Sequence, residues 1–295
     1  ILERFRAYLD RRHGISSRSC EAYVRFTRPF LRDMSITRPG DLARLTPTDV
    51  LGYVERHARD ASAATAVAMC SRLRSFLRYL QVEGFIANDL AACVPSVKKW
   101  RFTALPTHLS AAQLEQVLQH CDQNTASGRR DYAILLLLSG LGLRAQEVAS
   151  LSLDDIDWRA GQFRIQGKGR QQAIMPLPPD VGAAIAAYLQ SGRPVSDRRQ
   201  LFLRAHPPHS GFPPTSGIRD IAARALRRAG ISDIAHRGSH IFRHSLATEL
   251  LRSGAALTQI SQVLRHKDLD TTRIYAKVDL ASLRTLSLPW PGGVQ

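Results

Sequence analysis

Ile156-Asp-Trp158-Arg-Ala160-Gly161-Gln162-Phe-Arg-Ile-Gln166-Gly167-Lys168-Gly169-Arg170-Gln171-Gln-Ala-Ile-Met-Pro-Leu177 is the one stretch of this 295-residue chain that reads convincingly as β structure. Its extended runs are 156–158, 162–166 and 171–177. Ala160-Gly161 separates the first two, and Gly167-Lys168-Gly169-Arg170 separates the last two. Short strands joined by such turn signals form an antiparallel three-stranded sheet. Lys168 stands at the tip of the second turn, where flanking glycines permit positive φ and close backbone approach to a ligand. A Gly-Lys-Gly turn is common, so its meaning depends on what surrounds it.

Helices surround the sheet on both sides. Upstream, Asp131–Ser139 is a strongly apolar helix that reads as core, and Ser110-Ala-Ala-Gln113 is a capping box opening a helix to about His120. Downstream, helices are expected at about 179–190, 216–229, 239–252, 256–264 and 271–286. Residues 94–107 break the pattern, with Pro95 and Pro106 bracketing a basic run, and read as a linker. Before it lie four or five helices. Ile1, Leu2, Phe5, Tyr8 and Leu9 share one face ahead of Gly14, and Ser16-Ser17 opens the next helix. Thr46-Pro47 starts a helix through about Arg59, and an Ala-rich helix runs from Ser62 to Gln81. The fold class is mainly α. It comprises an all-α amino-terminal domain (1–93), a basic linker (94–107) and a helical α+β domain with the small sheet (108–295).

The charge balance narrows the partners. Lys and Arg number 41 against 25 Asp and Glu, a formal charge of +16. Residues 1–100 hold 17 basic and 10 acidic residues and the remainder 24 and 15, so both halves are basic. A basic field over two folded units suits a protein that surrounds a polyanion, although many soluble enzymes have a high pI. Arg74 and Arg78, one turn apart, are a candidate phosphate-facing pair with an ordinary solvated helix face as the equal alternative. Lys98, Lys99 and Arg101 on the linker, and Arg170 on the hairpin, are further candidates for DNA contact. The four cysteines have no paired spacing, which points to thiols in a reducing cytosol. The longest strongly apolar run, Ala133–Leu138, is too short to cross a bilayer, and no signal peptide is evident. The chain opens at Ile1 inside an amphipathic pattern, as if residues upstream were missing.

Four pieces of the second domain carry chemistry. Gly142-Leu-Arg144-Ala-Gln-Glu147 puts a carboxylate three residues from a guanidinium, close enough to orient it, although a surface ion pair has the same spacing. Lys168 is the second piece. The third is His240-Ile-Phe-Arg243-His244-Ser-Leu-Ala-Thr248, in which His240 and Arg243 share a helical face while Ile241, Phe242, Leu246 and Leu250 serve the core. The fourth is Leu264-Arg265-His266, followed nine residues on by Tyr275. Tyr275 alone is one tyrosine of seven, and a lone helical tyrosine is usually a core residue.

Together, Arg144, Lys168, His240, Arg243, His266 and Tyr275 resemble the six-residue active site of the tyrosine recombinase (phage integrase) family. Arg144 lies in its Gly-x-Arg-x-x-Glu pattern, Lys168 in its β-hairpin and His240–Arg243 in its His-x-x-Arg helix. Residues 1–93 resemble its helical, SAM-like core-binding domain. The resemblance implies a site-specific recombinase whose Tyr275 attacks a DNA phosphodiester, leaving a 3′-phosphotyrosine and a 5′-hydroxyl. Arg144, Arg243 and His266 would stabilise the phosphoryl oxygens, Glu147 would support Arg144 or a neighbouring histidine, His240 would accept the tyrosine proton and Lys168 would protonate the leaving oxygen. The covalent link would conserve the phosphodiester's energy, so no metal, ATP or other cofactor is implied. The implied partners are duplex DNA with recombination sites, a homo-tetramer docked through the apolar tail after Tyr275, and accessory recombinase subunits, with no membrane. The implied setting is the bacterial cytoplasm and nucleoid, in integration, excision or transposition of a mobile element. A type IB topoisomerase and a catalytically silent DNA-binding accessory protein are the competing readings. Two positions depart from the family's usual pattern. Phe242 stands where it often has Leu, and Arg265 where it often has Gly before the second His. Arginine disfavours backbone angles that glycine permits, which puts the loop conformation at 265 in question.

Overall fold

A computed structural model of the chain describes residues 1–13, 17–97, 107–167, 172–213, 216–232, 234, 238–266 and 271–276. The chain divides into two compact units, Ile1–Thr103 and Ala104–Gln295.

The first unit is helical. Helices α1 (Leu2–His13), α2 (Ser17–Asp33), α3 (Pro47–Arg59) and α4 (Ala63–Val82) follow the expected sequence, with a 3-10 turn at Pro39–Arg44 that periodicity did not reveal. That turn is held by Asp41, whose carboxylate accepts from the amides of Thr37 (3.1 Å) and Arg38 (2.8 Å). Thr46 caps α3 and Ser62 caps α4, each accepting an amide three residues on. The core is aromatic at its centre despite the low overall aromatic content. Phe5 meets Phe76 edge-on at 5.0 Å, and Phe30 meets Tyr53 edge-on at 5.0 Å.

The second unit is built around one buried helix. After α5 (Ala111–Gln119), capped as expected by the Ser110–Gln113 box, comes α6 (Ala126–Gly140). Helix α6 begins five residues before the expected start at Asp131, because Thr125 caps it by accepting from the Gly128 amide at 3.0 Å. Its residues Ala133–Leu138 are buried all round, against α8 on one side and α10 on another. Then follow α7 (Ala145–Ser150) and strands β1 (Ile156–Asp157), β2 (Gln162–Gln166) and β3 (Gln172–Pro176), antiparallel in the order β1-β2-β3. Phe163 and Ile165 of β2 face the core, while Arg164 and Ile174 pair on the exposed side. Helices α8 (Pro179–Ser191), α9 (Gly217–Arg228), α10 (His240–Arg252), α11 (Leu257–Leu264) and α12 (Arg273–Ala276) complete the described chain. The last three enclose a small separate cluster of Ala247, Ile260, Leu264 and Tyr275.

Candidate active site

The site is assembled from element ends. Gly142, in the turn between α6 and α7, has φ +58°, and a Cβ there would lie 2.8 Å from Leu264 Cδ2. Only glycine allows that backbone to press against the end of α11. Arg144 is the residue that opens α7, and Glu147 sits three residues inside it. The Glu147 carboxylate accepts from the Arg144 amide (2.8 Å) and from Arg144 Nη1 (2.7 Å). Glu147 is 2% exposed. Burial alone would raise its pKa, but the hydrogen bonds from Arg144 and the charges of Arg265 and Arg144 outweigh burial and hold it below the usual carboxylate range. A buried, ionised Glu147 therefore fixes the Arg144 side chain.

Helix α10 presents His240, Arg243 and His244 at positions i, i+3 and i+4, one continuous face. Arg243 is buried, and its guanidinium donates to the carbonyls of Gly142 and Leu264. Desolvation first, then the Arg144 and Arg265 charges, push its pKa down to about 10, so it stays cationic at neutral pH. His240 lies at the exposed rim of this face. Partial desolvation of its ring, followed by the charges of Arg243 and Arg144, holds it below the ordinary histidine range.

Helix α11 ends at Leu264 with Arg265 in the left-handed conformation (φ +54°, ψ 48°). Arginine thus takes the backbone angles that favour glycine. Its side chain reaches back to Glu147 Oε2 at 3.2 Å, and its carbonyl accepts from Arg144 Nη2 at 3.2 Å. The next residue, His266, has Nδ1 2.7 Å from the Thr272 hydroxyl. Desolvation, together with Arg243, Arg144, His244 and Arg265, drives the His266 pKa down to about 4. Its imidazole is neutral at neutral pH.

Tyr275, on α12, is 1% exposed, and its hydroxyl lies 2.7 Å from His244 Nδ1. Burial pushes the phenol up to about 12, against the opposing charge of Arg243. The side chain expected to accept its proton was His240; the imidazole that meets the hydroxyl is His244.

Arg144, His240, Arg243, His266 and Tyr275 thus converge from four separate parts of the second unit. Lys168 lies outside the described residues, as do Arg170, Lys98, Lys99 and Arg101 and the tail after Tyr275. Arg74 and Arg78 do not form the matched pair that their spacing suggests. Arg74 Nη2 donates to the carbonyls of Val94 (3.2 Å) and Pro95 (2.9 Å) and to the Ser96 hydroxyl, whereas Arg78 is exposed. Two participants escaped the sequence reading. His244 carried a signal in its i+4 spacing from His240; Arg265 carried only its departure from the glycine usual in the resembled family.

Arg144, Arg243 and His266 are donors of the kind that stabilise negative charge on phosphoryl oxygens, and Arg243 acts electrostatically on Tyr275. The sequence matches the phage integrase family over residues 107–281 and the phage integrase N-terminal SAM-like domain over residues 2–84. It is 46% identical over 273 residues to the integrase/recombinase y4rA of Sinorhizobium fredii, covering 91% of this chain and 66% of that one. Against tyrosine recombinase XerD of Listeria monocytogenes it is 30% identical over 294 residues, covering 96% of each. In fold it is similar to the XerH site-specific recombinase bound to palindromic difH substrate, with TM-score 0.74 at 20% identity over 97% of this chain and 84% of that one. It is also similar to a lambda integrase dimer on a COC′ core site, with TM-score 0.70 at 16% identity over 93% of each. Among the described residues no helix is long and apolar enough to cross a membrane.

Proposed function

Because this chain belongs to the phage integrase family of tyrosine recombinases, we propose that it is a site-specific DNA recombinase whose nucleophile is Tyr275. The observation that carries this assignment is geometric: Arg144 and Arg243 are tied to the end of α11 through the Arg265 and Leu264 carbonyls, His266 follows that end directly, and Tyr275 packs against Leu264 in the same cluster.

A phosphodiester repels an approaching oxygen nucleophile, so its cleavage depends on cations already in place when charge builds on the phosphoryl oxygens. Arg144 and Arg243 supply permanent charge in fixed forks, one held by Glu147 and the other by two backbone carbonyls. The lowered pKa of His266 comes from desolvation and the surrounding guanidinium charge. An entering phosphate opposes the surrounding guanidinium charge and favours the imidazolium, which then donates to a phosphoryl oxygen. Tyr275 Oη attacks phosphorus, the bond to the 5′ oxygen breaks, and the strand is held as a 3′-phosphotyrosine. Lys168 is assigned the proton that the departing 5′ oxygen takes up. Rejoining is the reverse reaction with a 5′-hydroxyl from another duplex, so the proposed assembly is a tetramer on two recombination sites, passing through a Holliday junction. The role we assign is integration, excision or transposition of a mobile element in the bacterial nucleoid, with accessory recombinase subunits as further partners.

The test uses a nicked duplex enriched from a randomised pool by binding to the protein. Wild-type protein forms an adduct that survives denaturation, and Tyr275→Phe binds the same duplex and forms none. An undiminished adduct yield in Tyr275→Phe would refute the assignment. Efficient relaxation of any supercoiled plasmid, without regard to sequence, would move it to a topoisomerase.

A further inference from the structure

We infer that His244, which the six-residue active-site pattern does not include, takes the Tyr275 proton during strand cleavage. This rests on the recombinase reading above and assigns that reaction's proton path. The observation is direct contact: His244 Nδ1 lies 2.7 Å from the Tyr275 hydroxyl, with the two rings 5.5 Å apart. The phenol is buried among Ala247, Ile260 and Leu264, where water has little access to remove its proton. A neutral phenol gains nucleophilicity only if its proton leaves as the bond to phosphorus forms, and the acceptor must be within hydrogen-bond reach.

The helix geometry explains why His244 holds this place and His240 does not. The two residues are one turn apart on the same face of α10. His240 lies at the rim, while His244 is half-buried one turn further in, towards the cluster that contains Tyr275. Arg243, between them in sequence, belongs to the same face and acts electrostatically on Tyr275. His244 in turn acts on His266.

In the balanced step, Tyr275 donates its hydroxyl proton to His244 Nδ1, the acceptor in the tautomer that carries its hydrogen on Nε2. The bond from Oη to phosphorus forms, the bond from phosphorus to the 5′ oxygen breaks, and that oxygen takes a separate proton from the acid of the site. The products are a phosphotyrosine, a His244 imidazolium and a free 5′-hydroxyl. Rejoining returns the proton from His244 to Tyr275.

The test measures single-turnover adduct formation by His244→Ala and His244→Gln on the enriched nicked duplex, made with either oxygen or sulfur at the bridging 5′ position. Glutamine retains a hydrogen-bond acceptor and much of the side-chain volume, but its amide is far too weak a base to take the proton. Both variants should bind the duplex as wild type does and form adduct at least about 100-fold more slowly, within the range for loss of a general base. The deficit should persist on the sulfur substrate, since a thiolate departs without a proton whereas the attacking phenol must still lose its own. A His244→Gln rate within about threefold of wild type would reduce His244 to a packing and hydrogen-bonding role and overturn the inference. So would a deficit that vanishes with sulfur, which would make His244 the acid. Absence of any Tyr275-dependent adduct with wild-type protein would instead remove the parent reading, and this inference with it.

Discussion

Arg265 shows how one residue can run against local preference and still be held by its surroundings. In the left-handed region a side chain with a Cβ costs about 1–2 kcal/mol relative to glycine. Arg265 also has a buried Nε without a hydrogen-bond partner among the described residues. Offsetting these costs are the contact with Glu147 and the Arg265 carbonyl that receives Arg144. Replacing the side chain separates the two contributions. Arg265→Gly and Arg265→Ala both lose the contact with Glu147, but only alanine keeps the backbone penalty. Arg265→Gly should therefore be the more stable of the two by about 1 kcal/mol in urea unfolding. Equal stability would mean that position 265 leaves the left-handed region once the arginine is gone. The conflict was visible in the sequence as an arginine where glycine is usual; its resolution was not, because Glu147 lies 118 residues away.

At the level of elements, the turn before α7 and the end of α11 act as one support for Arg243. The guanidinium binds carbonyls of both, and Gly142 brings them together. Gly142→Ala would force a Cβ to within 2.8 Å of Leu264 Cδ2 and 3.0 Å of Leu246 Cδ2, at a φ that alanine resists. Overpacking of this kind costs about 1–3 kcal/mol. The same displacement moves the Gly142 carbonyl, so adduct formation should fall by more than stability alone accounts for, with duplex binding largely retained. A variant that unfolds at lower urea yet cleaves at the wild-type rate would show that Arg243 does not depend on this turn. Element types were legible because amphipathic periodicity and caps are local properties. The Thr125 start of α6 was overlooked because the apolar run, more conspicuous than the cap, begins later.

Across the whole molecule, the charge of +16 favours binding to a polyanion, and the number of phosphates contacted sets how steeply that binding falls with salt. Each phosphate neutralised releases counterions, and log K falls with log salt at a slope of about −0.9 per contact. Arg78 and Arg74 should separate cleanly on this measure. Arg78 is exposed, so Arg78→Ala should reduce the slope by about one and weaken binding to any sequence alike. Arg74 ties α4 to the chain at 94–96, so Arg74→Ala should instead lower the stability of the first unit. An unchanged salt slope for Arg78→Ala would remove it from the DNA interface.

The sequence by itself determined the class of fold, because the periodicities of helices and of the sheet region are short-range properties of neighbouring residues. It also offered the candidate site, since Arg144, Lys168, His240, Arg243, His266 and Tyr275 stand in the order of the active-site pattern they resemble. Only the tertiary structure decided which of these groups touch. Tyr275 meets His244 across 31 residues because α10, α11 and α12 close around a common apolar cluster. Arg243 is held by backbone carbonyls 101 and 21 residues away. Contacts of that length depend on how side chains fill a shared core, and local pattern carries no record of it.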